Sequence, residues 1–491
     1  MTLRIYNDLS RQREDFVPLH EGWVGIYVCG PTVYDHPHVG HAKSYVSFDV
    51  IVRYLRFSGY RVRYVQNITD VGHLTDDADE GEDKILRRAA RERVEPMELA
   101  EIYTRSYLED MDALRVERPN IMPRASGHIT EQIELVKKLL EKGHAYEANG
   151  SVYFSVPSFP EYGKLSGRRV EDLAEAVRID QNPDKRHPAD FALWKRAEPG
   201  HILRWPSPWS WGFPGWHLEC SAMSMRYIGE TVDIHGGGLD NIFPHHESEI
   251  AQSEAANGVQ FVRYWMHNNM VTVDGTRMGK SLGNFITIKQ VLGGEHPRLS
   301  HAYTPSAVRY FVLSSHYRSP LDFSDEGLLA AERGLGRLHE AVRRVRERLA
   351  TAADGPADPE VEAQLAAHRE RFVAAMDEDF NTPVAISVLF DTSRESNTRV
   401  EGGEATRGTL VAYDTFYREL GETVLGLVPD ELGGAEAVGL TDDLMRLLLN
   451  MRAEFRAKKE WDRADALRDQ LAELGVALED GSEGTRWRLD R

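Results

Sequence analysis

The sequence predicts an α/β protein: a Rossmann-like, doubly wound parallel sheet with an inserted connective domain, followed by an all-α C-terminal half. Three observations carry this reading. A short apolar run at 25–28 breaks at Cys29-Gly30-Pro31. A helical pattern (Tyr45, Phe48, Val50, Ile51, Tyr54, Leu55) then runs to Gly59, and a second apolar run over 60–68 ends at Thr69-Asp70. Strand, helix, strand is the opening unit of a parallel doubly wound sheet. The same alternation resumes only near Gly215, with apolar runs at 232–235, 264–267 and 270–273 around a helical pattern over 245–256. The chain between behaves as an insertion. From about Ser306 onward the periodicity is almost wholly helical.

Length and charge bound the function. A chain of 491 residues is too long for one hydrophobic core, so several domains are expected. With 59 basic and 78 acidic residues the net charge is −19, which argues against non-specific nucleic-acid binding. A nucleic-acid partner would be met by local basic patches. Arg343, Arg344, Arg346 and Arg348, in one helical pattern, are a candidate; a solvated face balanced by nearby glutamates is the alternative. No apolar run approaches the ~20 residues of a membrane span, and the polar N-terminus has no signal-peptide pattern, so a cytoplasmic location is expected. The two cysteines, Cys29 and Cys220, are not expected to form a disulfide there.

Taken in order, 71–83 is an acidic loop whose spacing does not match an EF-hand. Residues 84–119 are helical and charged. An amphipathic helix begins near Ala125 and closes at Gly143, and an alternating strand covers 151–156; the stretch onward to about 208 is irregular. The strand at 232–235 is expected to break at Gly236-Gly237-Gly238. Helices are expected over about 325–350, 358–376, 381–398 and 409–427, with linkers at 354–358 and 430–438. A helical 440–474 and a short β-hairpin over 478–489 close the chain.

Two stretches carry chemistry. His38-Val39-Gly40-His41 stands where the first strand gives way to the first helix, a geometry that presents backbone N–H groups and a positive dipole end to a phosphate. His38 and His41, three apart, face one side of the first turn, and Gly40 allows close approach of a ligand. Far downstream, Arg277-Met278-Gly279-Lys280-Ser281 is a Gly-containing loop with a central lysine. Separately, His245 and Glu249 are four apart on a helical pattern, Cys220 precedes His245 by 25 residues, and Cys29 lies at the end of the first strand, where strand ends of an α/β sheet converge. Two thiolates, an imidazole and a carboxylate make a sensible zinc shell. Spacing alone leaves open a surface ion pair with two core cysteines.

His38-Val39-Gly40-His41 resembles the HIGH signature of class I aminoacyl-tRNA synthetases, and 277–281 resembles their KMSKS loop. Cys29-Gly30-Pro31-Thr32-Val33-Tyr34, Gly215-Trp216-His217-Leu218-Glu219-Cys220-Ser221, Gly236-Gly237-Gly238 and Phe243-Pro244-His245-His246-Glu247-Ser248-Glu249 look like the signature blocks of the cysteinyl-tRNA synthetase family, in the family's order and over essentially the whole chain.

The resemblance implies one zinc ion on Cys29, Cys220, His245 and Glu249, and ATP with Mg2+ as substrate. It implies that His38, His41 and Lys280 stabilise charge on the phosphates. Gly40, Gly238, Asp240, Met278 and Lys280 would bind the nucleotide; Thr69, Trp216 and His235 would line the amino-acid pocket. The partners implied are L-cysteine, ATP and tRNA(Cys), with no membrane and a monomeric chain. The domains expected are 1–120 and 211–290 for the catalytic halves, 121–210 for the connective insertion, 291–325 for a stem-contact region, 326–429 for a tRNA-binding bundle and 430–491 for an anticodon-binding domain. Trp461, or Trp487 with Arg486 and Arg488, could stack on unpaired bases; core tryptophans are the alternative. Two departures stand out: Arg277 replaces the first lysine of KMSKS, and Gly279 its first serine. The rival readings are a same-fold ligase joining cysteine to a small amine and a non-catalytic tRNA-binding relative.

Overall fold

The computed structural model describes residues 2–72, 83–170, 182–279, 282–403, 405–431, 435–473, 476–481 and 484–489. Four parallel strands form the central sheet. In chain order its elements are β1 (Trp23–Val28), α1 (Val39–Phe57), β2 (Arg61–Gln66), α2 (Trp216–Tyr227), β3 (Val232–Gly238), α3 (Glu247–Asn257) and β4 (Val262–Asn268). The spatial order is β4-β3-β1-β2. The chain leaves β1 toward one edge and β3 toward the other, so the topological switch point lies between them. Ligands of open α/β sheets bind beyond the strand ends at such a point. Cys29 follows β1 there, and its N–H donates to Gly236 O at 3.0 Å.

The strands read as apolar runs because the sheet is covered on both faces: Val24, Ile26, Tyr27 and Val28 of β1 are all buried. α1 buries residues around most of its circumference, including Tyr45, Phe48, Ile51 and Tyr54. β3 differs from expectation. It does not break at Gly236 but continues through Gly238, in register with Asn268 of β4. A Cβ on Gly236 would lie 2.3 Å from the Phe48 ring, so this glycine admits an α1 side chain against the strand and makes no turn.

Two other expectations change, and a third falls almost wholly outside the described residues. The helical stretch from 84 is two helices, Lys84–Glu92 and Pro96–Ala113, divided at Arg93, whose φ is 59°. Of the acidic loop, residues 73–82 lie outside the described residues; Asp83 is buried and caps the following helix through Ile85 N and Leu86 N. The stretch before 208 is not irregular: Phe191–Arg196 is the central strand of a five-stranded antiparallel sheet. That sheet packs with the helix Ile129–Glu141 onto α2 and α3, through Leu139, Phe154, Leu193, Trp194, Leu218 and Ala251. Its apolar run, Phe191 to Trp194, is too short for periodicity to identify.

Beyond the sheets come the helices Asp325–Thr351, Pro359–Asp377, Thr382–Glu401 and Arg407–Phe416. Arg309, fully buried, binds this region to α1: its guanidinium pairs with Asp49 and donates to Leu425 O (2.8 Å) and Leu114 O (3.0 Å). The arginine run is a balanced face. Arg343 pairs with Glu340 and Glu347, Arg344 with Glu340 and Glu401, and Arg346 with Asp414, while Arg348 donates to Gly403 O.

The chain forms two units, Met1–Val428 and Pro429–Arg491. The second holds helices Ala435–Ala457 and Trp461–Glu473 and the hairpin Val476–Gly481 with Gly484–Leu489. Trp487 packs on that unit's small core of Met445, Leu471 and Val476, whereas Trp461 is exposed. The side chains of Arg486 and Arg488 lie outside the described residues. Among the described residues no helix is long and apolar enough to cross a membrane.

Candidate active site and metal centre

A cavity of about 480 Å³ opens at the switch point. Its walls bring together most of the residues singled out from the sequence: Cys29, Thr69, Trp216, Cys220 and His245, then His38, Gly40 and His41, and Gly238, Asp240 and Met278. Lys280 lies outside the described residues. His235 does not line the cavity as expected; it is fully buried behind Glu249.

The start of α1 is held by its own histidines. His38 is the N-cap: its Nδ1 accepts from Gly40 N at 3.0 Å, and His41 Nδ1 accepts from His38 N at 3.1 Å. A neutral imidazole that accepts at Nδ1 carries its proton on Nε2. Both rings, stacked with centroids 3.9 Å apart, therefore present Nε2–H donors. Val39 N meanwhile donates to Ile286 O. The backbone amides expected to cradle a phosphate are thus already engaged, and the donors left at this helix start are the imidazole Nε2–H groups. Gly30 is required for a separate reason: a Cβ there would fall 1.5 Å from Asn67 O, while Gly30 N donates to Asn67 Oδ1 at 2.8 Å.

The loop from Arg277 is closed by Asn284, which accepts from Gly279 N (2.9 Å) and donates to Arg277 O (3.1 Å). Arg277 reaches Asp240 at 3.4 Å in an exposed pair.

Cys29, Cys220, His245 and Glu249 converge, with one donor atom from each within 4.8 Å of the others and all four buried. The sulfurs are 3.9 Å apart, His245 Nε2 is 3.1 Å from Glu249 Oε1, and Cys29 Sγ is 3.9 Å from the same oxygen. Tetrahedral zinc, with bonds of ~2.3 Å to sulfur and ~2.0–2.2 Å to nitrogen or oxygen, sets its ligand atoms about 3.3–3.8 Å apart. The donor set fits.

Its electrostatics point the same way. Burial alone would raise the Glu249 carboxyl, but His235 and His245 hold it down to about 2. Burial alone would also raise Cys220, yet hydrogen bonding from Cys29 and the charge of His245 bring it to about 6. Burial would lower His245, but Cys220 and Glu249 push it up to about 10. The fourth donor goes the other way: burial, with Cys220 and Glu249 beside it, pushes the Cys29 thiol well up, so binding a cation here would release protons from Cys29 and His245.

A shell of residues, most of them not singled out from the sequence, orients the donors. His217 Nδ1 lies 3.0 Å from His245 Nδ1, leaving His245 Nε2 turned to Glu249. His235 Nε2 meets Glu249 Oε2 at 3.0 Å, and its Nδ1 lies 3.0 Å from Tyr27 O. His246 Nε2 stands 3.2 Å from Cys29 Sγ; His246 Nδ1 meets His267 Nε2 at 2.7 Å, and His267 Nδ1 meets Asp8 at 2.7 Å. Burial, with the neighbouring His235 and His267, pushes the His246 imidazole down into its neutral form. His246 and His235 can also complete a second donor group with Cys29 and Glu249. Trp216 stacks on His245 at 4.2 Å. His217 and His246 stand inside the quoted blocks and were open to suspicion; Asp8 and His267 carry no local signal.

Residues 15–333 match the family model described as tRNA synthetases class I (C) catalytic domain, 371–429 a DALR domain, and 439–488 a cysteinyl-tRNA ligase anticodon binding domain. A cysteine–tRNA ligase of Chlorobium chlorochromatii is 54% identical over 494 residues, covering 100% of both chains, and one of Thermus thermophilus is 52% identical over 492 residues at the same coverage. The chain belongs to the cysteine–tRNA ligase family. As a member it is a class I ligase that forms an aminoacyl-tRNA bond, and its cavity, fully within the catalytic match, is that ligase's candidate active site. The fold is shared more widely. A methionyl-tRNA synthetase of Mycobacterium tuberculosis, solved with methionyl-adenylate, superposes with a TM-score of 0.59 at 15% identity, covering 83% of this chain and 92% of that one. A leucyl-tRNA synthetase of Agrobacterium radiobacter gives 0.58 at 12%, covering 84% and 85%.

Proposed function

We propose that the cavity activates L-cysteine with ATP, as cysteinyl-adenylate, and transfers it to the 3′ end of tRNA(Cys), with zinc held by Cys29, Cys220, His245 and Glu249. The convergence of these four donors beside His38 and His41 carries the reading. When bound, the zinc ion would supply a soft Lewis acid that prefers the sulfur of cysteine to the hydroxyl of serine. Shape alone separates such close analogues by only ~1–3 kcal/mol. No separate editing site is then needed.

In the first step the cysteine carboxylate attacks the α-phosphorus in line and pyrophosphate leaves. His38 and His41 donate Nε2–H to phosphate oxygens as charge builds, and Lys280 adds a cation from its loop; ATP enters with Mg2+. No side-chain nucleophile is required. Gly40 admits the nucleotide, Gly238 and Asp240 hold the adenosine with Met278, and Thr69 and Trp216 flank the amino acid. His235 acts on cysteine through Glu249, by orienting its carboxylate. In the second step a ribose hydroxyl of the terminal adenosine takes the aminoacyl group.

In the same reading, 1–120 and 211–290 are the catalytic halves, 121–210 the connective insertion, 291–325 the stem-contact region, 326–429 the tRNA-binding bundle and 430–491 the anticodon-binding domain. The protein works as a cytoplasmic monomer. The match to an anticodon-binding domain favours tRNA over a small amine as acceptor.

The test is cysteine-dependent ATP–pyrophosphate exchange with serine as competitor, alongside metal analysis. The expected result is exchange with cysteine only and about one zinc per chain, the single tetrahedral ion this donor set can hold. Exchange without bound metal would overturn the zinc assignment, and zinc without exchange would overturn the catalytic one.

A further inference from the structure

The segment that carries Arg277 and Met278 is joined to the start of α1 on both sides, by different means. On its far side the backbone does the joining. Val39 N donates to Ile286 O at 3.1 Å, Ile288 N to Pro37 O at 3.0 Å, and His38 pairs with Thr287 in an antiparallel bridge. On its near side stands a small sheet, in which Val271–Val273 runs parallel to Leu321–Phe323 and antiparallel to Thr276–Arg277.

A single side chain fastens this small sheet to α1. Lys43, two residues after His41, is only 1% exposed. Its Nζ donates to Ser319 O and, at 3.5 Å, to Met270 O. Met270 directly precedes one parallel strand and Ser319 stands just before the other, so one ammonium holds the start of both. Among the described residues no carboxylate pairs with it; its partners are carbonyl oxygens alone. Burying a cation without a counter-charge is costly, and an apolar side chain of similar volume would stabilise the packing better. The charge is therefore kept for what it holds in place.

We propose that Lys43 is a positioning residue for cysteine activation: its ammonium fixes the strand leading to Arg277 and Met278 against the helix that presents His38 and His41. This rests on the nucleotide-binding reading of those residues given above. The spacing at stake is small, since a Cβ on Gly40 would lie 3.7 Å from the Met278 methyl carbon. A displacement of about 1 Å at such a site can cost about 100-fold in rate.

The experiment uses the full chain with Lys43→Met, which keeps the volume and removes the charge, and Lys43→Arg, which keeps the charge. ATP–pyrophosphate exchange is measured with separate constants for ATP and cysteine, together with zinc content and the thermal unfolding midpoint. For Lys43→Met, kcat/KM for ATP falls roughly 10- to 100-fold, while the KM for cysteine and the zinc content hold and the midpoint holds or rises. Lys43→Arg recovers most of the loss. Wild-type ATP kinetics in Lys43→Met overturns the proposal. So does a variant whose cysteine constant, zinc content and midpoint decline together with no recovery by arginine, because that is the signature of packing alone. Absence of exchange in the wild type would instead remove the catalytic reading beneath it, whereas exchange abolished by His41→Ala but untouched by Lys43→Met overturns the positioning role by itself.

Discussion

Cys29, Cys220, His245 and Glu249 are between 0% and 8% exposed, whereas the side chains of Arg277 and Asp240, which meet beside the same cavity, are 71% and 72% exposed. The first group comes from strand ends and helices, and the imidazoles around it are themselves hydrogen-bonded. The second joins the end of β3 to a loop through one exposed ion pair of the kind worth little. The contrast separates two tasks. In the proposed reading, telling cysteine from serine demands a donor set that does not yield, because the selectivity would lie in its geometry and charge. Admitting ATP and releasing pyrophosphate demands a side of the cavity whose contacts are individually weak.

Breaking the buried side should have the largest effect. Cys220→Ser should lose zinc, measured by metal analysis, and lower kcat/KM for cysteine by well over the ~10–100-fold typical of outer-shell changes at metal sites. His41→Ala should come next, with a fall of roughly 100- to 1000-fold in exchange rate through loss of a transition-state donor, and with zinc retained. That dissociation of activity from metal content is what the two-task contrast requires. His217→Ala should weaken zinc affinity by about 10- to 100-fold in a chelator competition, because His245 loses the partner that turns its Nε2 inward. Gly236→Ala should lower stability by ~1–3 kcal/mol in denaturant unfolding, since the new methyl meets the Phe48 ring. Asp240→Ala should have the smallest effect, at most about fivefold on the KM for ATP, the reach of an exposed ion pair. A large effect there would place a rigid contact where the comparison puts a weak one.

Much of this was legible in the sequence, for physical reasons that also mark where legibility ended. β1 and α1 read clearly because an apolar run and a 3.6-residue periodicity are local signals. The donor cluster could be suspected because His245 and Glu249 are one helical turn apart, but Cys29 and Cys220 come together only through the sheet's topology. Glycine misled. Gly236 looks like a turn in sequence and is a strand residue in space, because the atom that excludes a side chain belongs to Phe48, far away in the chain. The arginines of 343–348 left two readings open, a basic patch or a balanced face, since only Glu340 and Glu347 of the acids that offset them are near in sequence and Glu401 and Asp414 come from other helices. The role of His38 as an N-cap escaped notice because histidine is not among the residues that usually cap. Asp8, closing the relay through His267 and His246, offered nothing to read: it is one aspartate in a polar N-terminus, and its meaning is entirely tertiary.

The chain contains two cysteines, and both are donors in the buried cluster. Translating this chain therefore draws on two molecules of cysteinyl-tRNA, its own product, and in the proposed reading both residues stand where that product's amino acid is recognised. In that reading a single misincorporated serine at Cys29 or Cys220 would fall on the donor set that separates cysteine from serine, so an error of this kind would lower the fidelity of the translation that follows it.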